Sequence, residues 1–185
     1  SDVQVAKLRL KQPRSLGGLI AIHESNFVRL QRLVPELDDM DGAYVSRVAG
    51  TMDLYLSILE RHKYTTTVCL TYRFEADETD EDGETYVFEP RARIRVYHDA
   101  RAVEVIGHCR RNISHKTSPW RCGDMPELNR KWELNRFLQK WLGFCHRQGH
   151  LFLRCTSQAL DVSPFFICAN PQDAPRHLNS RIWMP

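Results

Sequence analysis

The hydrophobic period of this chain changes twice, and no other feature restricts its fold as much. Leu16, Leu19, Ile20, His23, Phe27, Leu30 and Val34 fall three or four positions apart. That spacing stacks side chains on one face of an α-helix. Between Ala43 and His108 the repeat drops to two, which in an extended chain sends alternate residues to opposite sides of a sheet. Beyond Asp124 the repeat of three or four returns. Helix, strands and helix in that order predict an α+β fold: an N-terminal helix, an antiparallel β-meander of four to five strands, and a second helix packed on the same sheet face, with an extended C-terminal tail.

The segment ends carry their own signals. Ser15 suits the N-cap of the first helix. Leu16-Gly17-Gly18 lacks the glycine pattern and lysine of a phosphate loop and reads as turn residues. Pro35 closes the helix, because proline disfavours helical geometry in the residue before it. Asp38, Asp39, Asp41 and Gly42 form the turn out. Strands are expected at Ala43–Val48, Met52–Ile58 and Tyr64–Phe74, and then at Arg91–His98 and Arg101–His108 around a turn at Asp99-Ala100. Asp124 and Glu127, with Pro126 in the first turn, form a capping box for the second helix. Its apolar face holds Leu128, Trp132, Leu134, Leu138, Trp141, Leu142 and Cys145, and Gly149 ends it. Residues 1–13 are expected to be a mobile leader, 14–150 a single α+β domain with an acidic loop at 75–84, and 151–185 an extended tail docked on the domain or on a partner.

At 185 residues, with 42% hydrophobic and 26% charged, the chain has enough apolar mass for a globular core. No apolar run is long enough to cross a bilayer, and the N-terminus lacks the apolar stretch of a signal peptide. A cytoplasmic location without membrane contact is therefore expected. Six cysteines without a C-x-x-C pair read as free thiols in a reducing compartment. The formal net charge of +3 is too small to name a partner, but it is unevenly spread. Positions 75–84 hold seven acids and no base, whereas 85–147 hold thirteen Lys and Arg against six Asp and Glu.

Three stretches together resemble the YqiB-like family of bacterial proteins, a domain of unknown function. They are Asn26-Phe27 with Leu30, Leu33 and Pro35; Tyr64-Thr65-Thr66 paired with Val96-Tyr97-His98-Asp99-Ala100; and Asn135, Phe137, Leu138, Trp141 and Leu142 with Cys145 and Gly149. Their order and spacing agree over roughly residues 19–150. The resemblance implies a soluble bacterial cytoplasmic protein and brings no catalytic residues with it. The acidic run and the long tail depart from the pattern.

Alternation through Arg91-Ala92-Arg93-Ile94-Arg95-Val96-Tyr97 places Arg91, Arg93, Arg95 and Tyr97 on one sheet face, with successive arginines about 6.6 Å apart. The adjoining strand adds Thr65, Thr67, Thr71 and Arg73. Guanidinium forks, hydroxyls and an aromatic ring suit a phosphate-bearing or single-stranded ligand. The same residues also fit a plain solvated sheet face. His98-Asp99 invites a catalytic dyad, but neighbours at a turn diverge and no nucleophile motif accompanies them. His108, Cys109, His115 and Cys122, or Cys145, His146 and His150, lack zinc-site spacing, so neither metal nor cofactor is expected. The leading function is a non-catalytic binding or regulatory module whose ligand engages the arginine face and whose protein partner takes the tail. One alternative is RNA or single-stranded DNA binding that adds the basic stretch Arg110–Arg121. Another is an enzyme using His98 or Asp99.

Overall fold

The computed structural model describes residues 14–75, 86–107 and 127–159. The expected leader, the acidic residues 77–84, the stretch 108–126 with Asp124 and Pro126, and the tail beyond 159 lie outside the described residues. The elements are α1 (Leu16–Leu33), a 3-10 turn (Leu37–Asp39), β1 (Ala43–Ser46), β2 (Asp53–Arg61), β3 (Thr65–Glu75), β4 (Tyr86–Tyr97), β5 (Ala102–Gly107) and α2 (Glu127–Arg147). The five strands form one antiparallel sheet in the order β1-β2-β3-β4-β5. This is the α+β meander that the change of period predicts. β3 runs on to Glu75, so the first acid of the expected loop lies inside a strand.

Ser15 caps α1 as its sequence suggests, its Oγ accepting from the Gly18 amide at 3.1 Å. The glycines behind it are helical rather than turn residues. A Cβ on Gly18 would meet the Trp132 ring at 2.7 Å, so the missing side chain lets α2 approach closely. The buried stripe of α1 also differs from the expected one. Leu19, Ile22, Asn26, Leu30 and Leu33 are buried, whereas Leu16 and Ile20 are exposed. A hydrophobic count passes over Asn26, yet that residue is buried because it has a hydrogen-bond partner.

The partner is α2. Gly18 lies against Trp132, Ser25 hydrogen-bonds Gln139, and Arg29 lies over Gly143, so the two helices run side by side in the same direction. Midway, Asn26 Nδ2 donates to the Asn135 carbonyl at 3.1 Å. The Asn135 side chain donates to the Lys131 carbonyl at 2.8 Å and accepts the Val105 amide of β5 at 2.9 Å. Asn135 thus joins α1 through its backbone carbonyl and the edge of the sheet through its side chain. Below it, Leu138, Trp141, Leu142 and Cys145 of α2 and Leu30 and Leu33 of α1 meet Leu54, Leu56, Leu70, Ile94, Val96 and Val103 in the main core.

Gly149, at φ 92°, ends α2 and turns the chain so that His150 and Phe152 are buried. The Phe152 amide donates to the Leu33 carbonyl at 2.9 Å. Residues 157–159 then lie along the outer edge of β1. Val45 donates to Ser157 and Ala159 donates to Ala43, each at 2.9 Å. Ala159 joins Ala43, Val45, Tyr55 and Cys69 in a second apolar cluster on the far side of the sheet. Here the cysteine reading needs correction. Cys69 is disulfide-bonded to a partner outside the described residues, while Cys145 and Cys155 are free. Sequence spacing reveals only local pairs, and this bridge is not local.

Two outcomes follow. Asn135→Ala leaves the buried Val105 amide without its partner, while the backbone carbonyl that Asn26 reaches is kept, and should lower unfolding stability by about 1–3 kcal/mol, read from urea midpoints. Alkylation of unreduced, denatured protein should label Cys145 and Cys155 and spare Cys69 until a reductant is added.

Candidate functional site

The strand register places the expected arginine face as the alternation predicts. Thr65 pairs with Tyr97, Thr67 with Arg95, Cys69 with Arg93 and Thr71 with Arg91, all projecting away from the helices. Their exposure differs from that of a solvated face. Tyr55, Ser57, Cys69 and Thr71 are fully buried, Thr67 is 2% exposed and Arg91 only 9%. Alternation fixes which side a residue takes but not what covers that side. Thr65, Arg73, Arg93, Arg95 and Tyr97 remain half-buried, forming a narrower strip.

Along this strip the arginines have different neighbours. The Arg73 guanidinium lies 5.2 Å from the centre of the Tyr55 ring, a cation–π contact. Arg95 sits opposite Glu104, to which the Tyr97 hydroxyl donates. Burial and that hydrogen bond push the Tyr97 pKa up. Arg93 is flanked by Cys69 on one side and Gly107 on the other, with no carboxylate directly across. Among the described residues nothing lies within 4 Å of where a Gly107 Cβ would project beside Arg93.

His98 and Asp99 do not form a dyad. Asp99 is exposed at the turn, whereas His98 turns toward the helix side of the sheet. Its Nε2 lies 2.8 Å from Thr66 Oγ1, and its Nδ1 lies 3.8 Å from Asp38 Oδ1. Arg61 anchors this corner, with Nη2 donating to the Leu37 and Met40 carbonyls at 2.9 and 2.6 Å and Nη1 reaching Thr66 Oγ1 at 3.5 Å. Sequence reasoning missed Arg61 and read Asp38 only as a turn residue. Their meeting with His98 depends on strand pairing that no local spacing encodes.

The other motif residues serve packing. Asn26 and Asn135 form the clasp already described. Phe137 and Tyr72 flank Trp141 with ring centres at 6.1 and 5.6 Å. Arg101, at a strained φ of 49°, holds its guanidinium 4.8 Å from the Phe27 ring centre. Tyr64 is exposed beneath the Lys63 ammonium. Cys145 lies buried 3.2 Å from the Tyr72 hydroxyl, and burial pushes its thiol pKa up to about 11, which suits an inert packed thiol. His146 is exposed, so Cys145, His146 and His150 do not converge. His108, Cys109, His115 and Cys122 lie outside the described residues.

A family model described as "Protein of unknown function (DUF1249)" matches residues 29–151, well over half of the chain. The chain belongs to this family. It is similar to the uncharacterized protein YqiB of Escherichia coli strain K12, with 28% identity over 131 residues, 71% of this chain and 88% of that protein. The YqiB proteins of E. coli O6:H1 and O157:H7 match to the same extent. No solved structure matches. The YqiB-like resemblance read from the motifs therefore holds, and most of those motifs lie in the matched span. Among the described residues no helix is long and apolar enough to cross a membrane.

His150 ties the end of α2 to the β1–β2 hairpin. Thr51 Oγ1 donates to the Val48 carbonyl at 2.9 Å, so it accepts from His150 Nε2 at 3.3 Å, and Ser46 then donates to Nδ1 at 2.9 Å. Burial lowers the His150 pKa below 6.5, against opposing effects from Asp53 and the Met52 backbone. His23 is also lowered by burial, with Glu104 opposing and Lys131 assisting. Both groups are depressed in the folded state, so their contribution is complete above pH 6.5 and is lost as pH falls through that value toward the folded pKa values. Urea midpoints should therefore drop between about pH 7 and pH 5, and His150→Gln should flatten part of that drop.

Proposed function

We propose that this protein is a non-catalytic binding or regulatory module of the bacterial cytoplasm, with an anionic ligand or partner group seated on the strip Thr65–Arg93–Arg95–Tyr97. The observation that supports this reading most directly is the setting of Arg93. Among the described residues its strand partners are Cys69 and Gly107, neither of them a carboxylate, so a phosphate or carboxylate would meet a fork of donors with no acid paired across the sheet. Thr65 offers a hydroxyl at the same edge. Arg73 extends the charge, whereas Thr67 and Arg91 are too deeply covered to touch a ligand and serve to support their neighbours.

A second reading, binding of RNA or single-stranded DNA, draws support from the half-buried Tyr97 ring set beside Arg95. Titration of the full chain with inorganic pyrophosphate and with a short single-stranded RNA separates the two. On the first reading pyrophosphate binds and Arg93→Ala weakens it by at least about tenfold, the cost of one charge-assisted contact. On the second the RNA binds with a steep salt slope, and the same substitution reduces that slope by about one. Unchanged affinity in Arg93→Ala for both probes removes the strip as the binding site.

A further inference from the structure

We propose a second anion site, on the helix layer rather than the sheet, where Arg29 of α1 and Arg147 of α2 hold a small soluble phosphate dianion, free or as a monoester, over Gly143. A Cβ on Gly143 would lie 2.9 Å from Arg29 Nη1 and 3.2 Å from Arg147 Nη1, so guanidinium ends from two helices meet at one point. Among the described residues no ion pair involves either arginine. Two like charges brought together repel, and an anion set between them removes the repulsion and accepts from both forks.

Arg29 is held for that task. Its Nε donates to Ser25 Oγ at 3.3 Å, and the same oxygen accepts from Gln139 Nε2 of α2 at 2.9 Å. Arg136 in turn donates to Gln139 Oε1. The chain of contacts fixes Arg29 by its Nε and leaves its two terminal nitrogens for a ligand. Gly143 is buried and Arg29 half-buried, while Arg147 reaches in from the exposed side.

Cations near a helix C-terminus ordinarily serve its free carbonyls. Here the backbone does so. The Leu30 and Leu33 carbonyls of α1 accept from the Val34 and Phe152 amides, and those of Phe144, Cys145 and His146 in α2 accept from Gln148, His150 and Gly149. Residues 25–33 and 134–147 carry Arg29, Arg32, Arg136, Lys140 and Arg147 and no Asp or Glu. Glu36, just past α1, is taken by Arg154. The two helix ends together amount to about one negative charge, so these five cations leave an excess that suits a dianion better than a carboxylate.

The full chain would be titrated with sodium phosphate at about pH 7.5 and fixed ionic strength, where a phosphate monoester is mainly a dianion. The backbone amide of Gly143 and the Nε–H of Arg29 would be followed by NMR, with acetate as the monoanion control. Saturable shifts with a dissociation constant of about 1 mM are expected, with acetate at least about fivefold weaker and glycerol 3-phosphate similar to phosphate. Gly143→Ala keeps every charge, suits a helix better than glycine and displaces only the two guanidinium ends. It should fold as well as the parent chain yet bind phosphate at least about fivefold more weakly, as should Arg147→Gln. The proposal is overturned if phosphate moves neither signal, if acetate binds equally well, or if either variant binds phosphate as tightly as the parent. It is also overturned if vesicles containing phosphatidic acid bind while glycerol 3-phosphate does not. Arg93→Ala should leave the Gly143 signal and its titration unchanged, so this site and the arginine strip stand or fall separately.

Discussion

Asn135 sits fully buried where two helices and an edge strand meet, and its amide decides how those three pieces are arranged. An apolar residue there would fill the volume but leave the Val105 amide unpaired and α2 without its hydrogen bond to β5. The amide accepts from β5, donates within α2 and adjoins the carbonyl that Asn26 of α1 reaches. Buried polar groups cost stability when unpaired, so a network of this kind disfavours alternative alignments more than it strengthens the native one. Gly18 works with it, because the Trp132 ring must pass close to the α1 backbone before the two asparagines can meet.

Much of this architecture was legible in sequence because hydrophobic period depends directly on backbone geometry. The cap at Ser15, the end of α2 at Gly149 and the shared face of Arg91, Arg93, Arg95 and Tyr97 each rest on interactions between residues a few positions apart. The rotation of the α1 stripe toward Asn26 was not legible, since the carbonyl that its side chain reaches belongs to Asn135, far along the chain. The burial of Thr67 and Arg91 was hidden for a related reason. Period two assigns a residue to a side of the sheet and carries no information about what lies against that side.

The candidate sites divide in the same way. The arginine strip could be read from a single segment, though only strand pairing shows that Glu104 faces Arg95 while Gly107 lies beside Arg93. The corner built from Arg61, Thr66, His98 and Asp38 draws on β2, β3, the end of β4 and the turn after α1. Tyr64-Thr65-Thr66 and Tyr97-His98 stood out as motifs, but their partners were anonymous until the sheet brought them together. His150, weighed in sequence only as a metal ligand with Cys145 and His146, proves to be a buried hydrogen-bonding bridge.

The sheet has two ends at which another strand would ordinarily be able to add. At β1 the chain's own residues 157–159 occupy the outward amides and carbonyls, and at β5 the Asn135 side chain takes the Val105 amide beneath the packed helices. Among the described residues strand addition is therefore blocked along β1 and at Val105, so a protein approaching either place has to recognise side chains instead. Recognition of that kind tolerates few substitutions at the contact and many elsewhere. It also means that two copies cannot pair edge to edge through the β1 backbone that residues 157–159 of the same chain already hold.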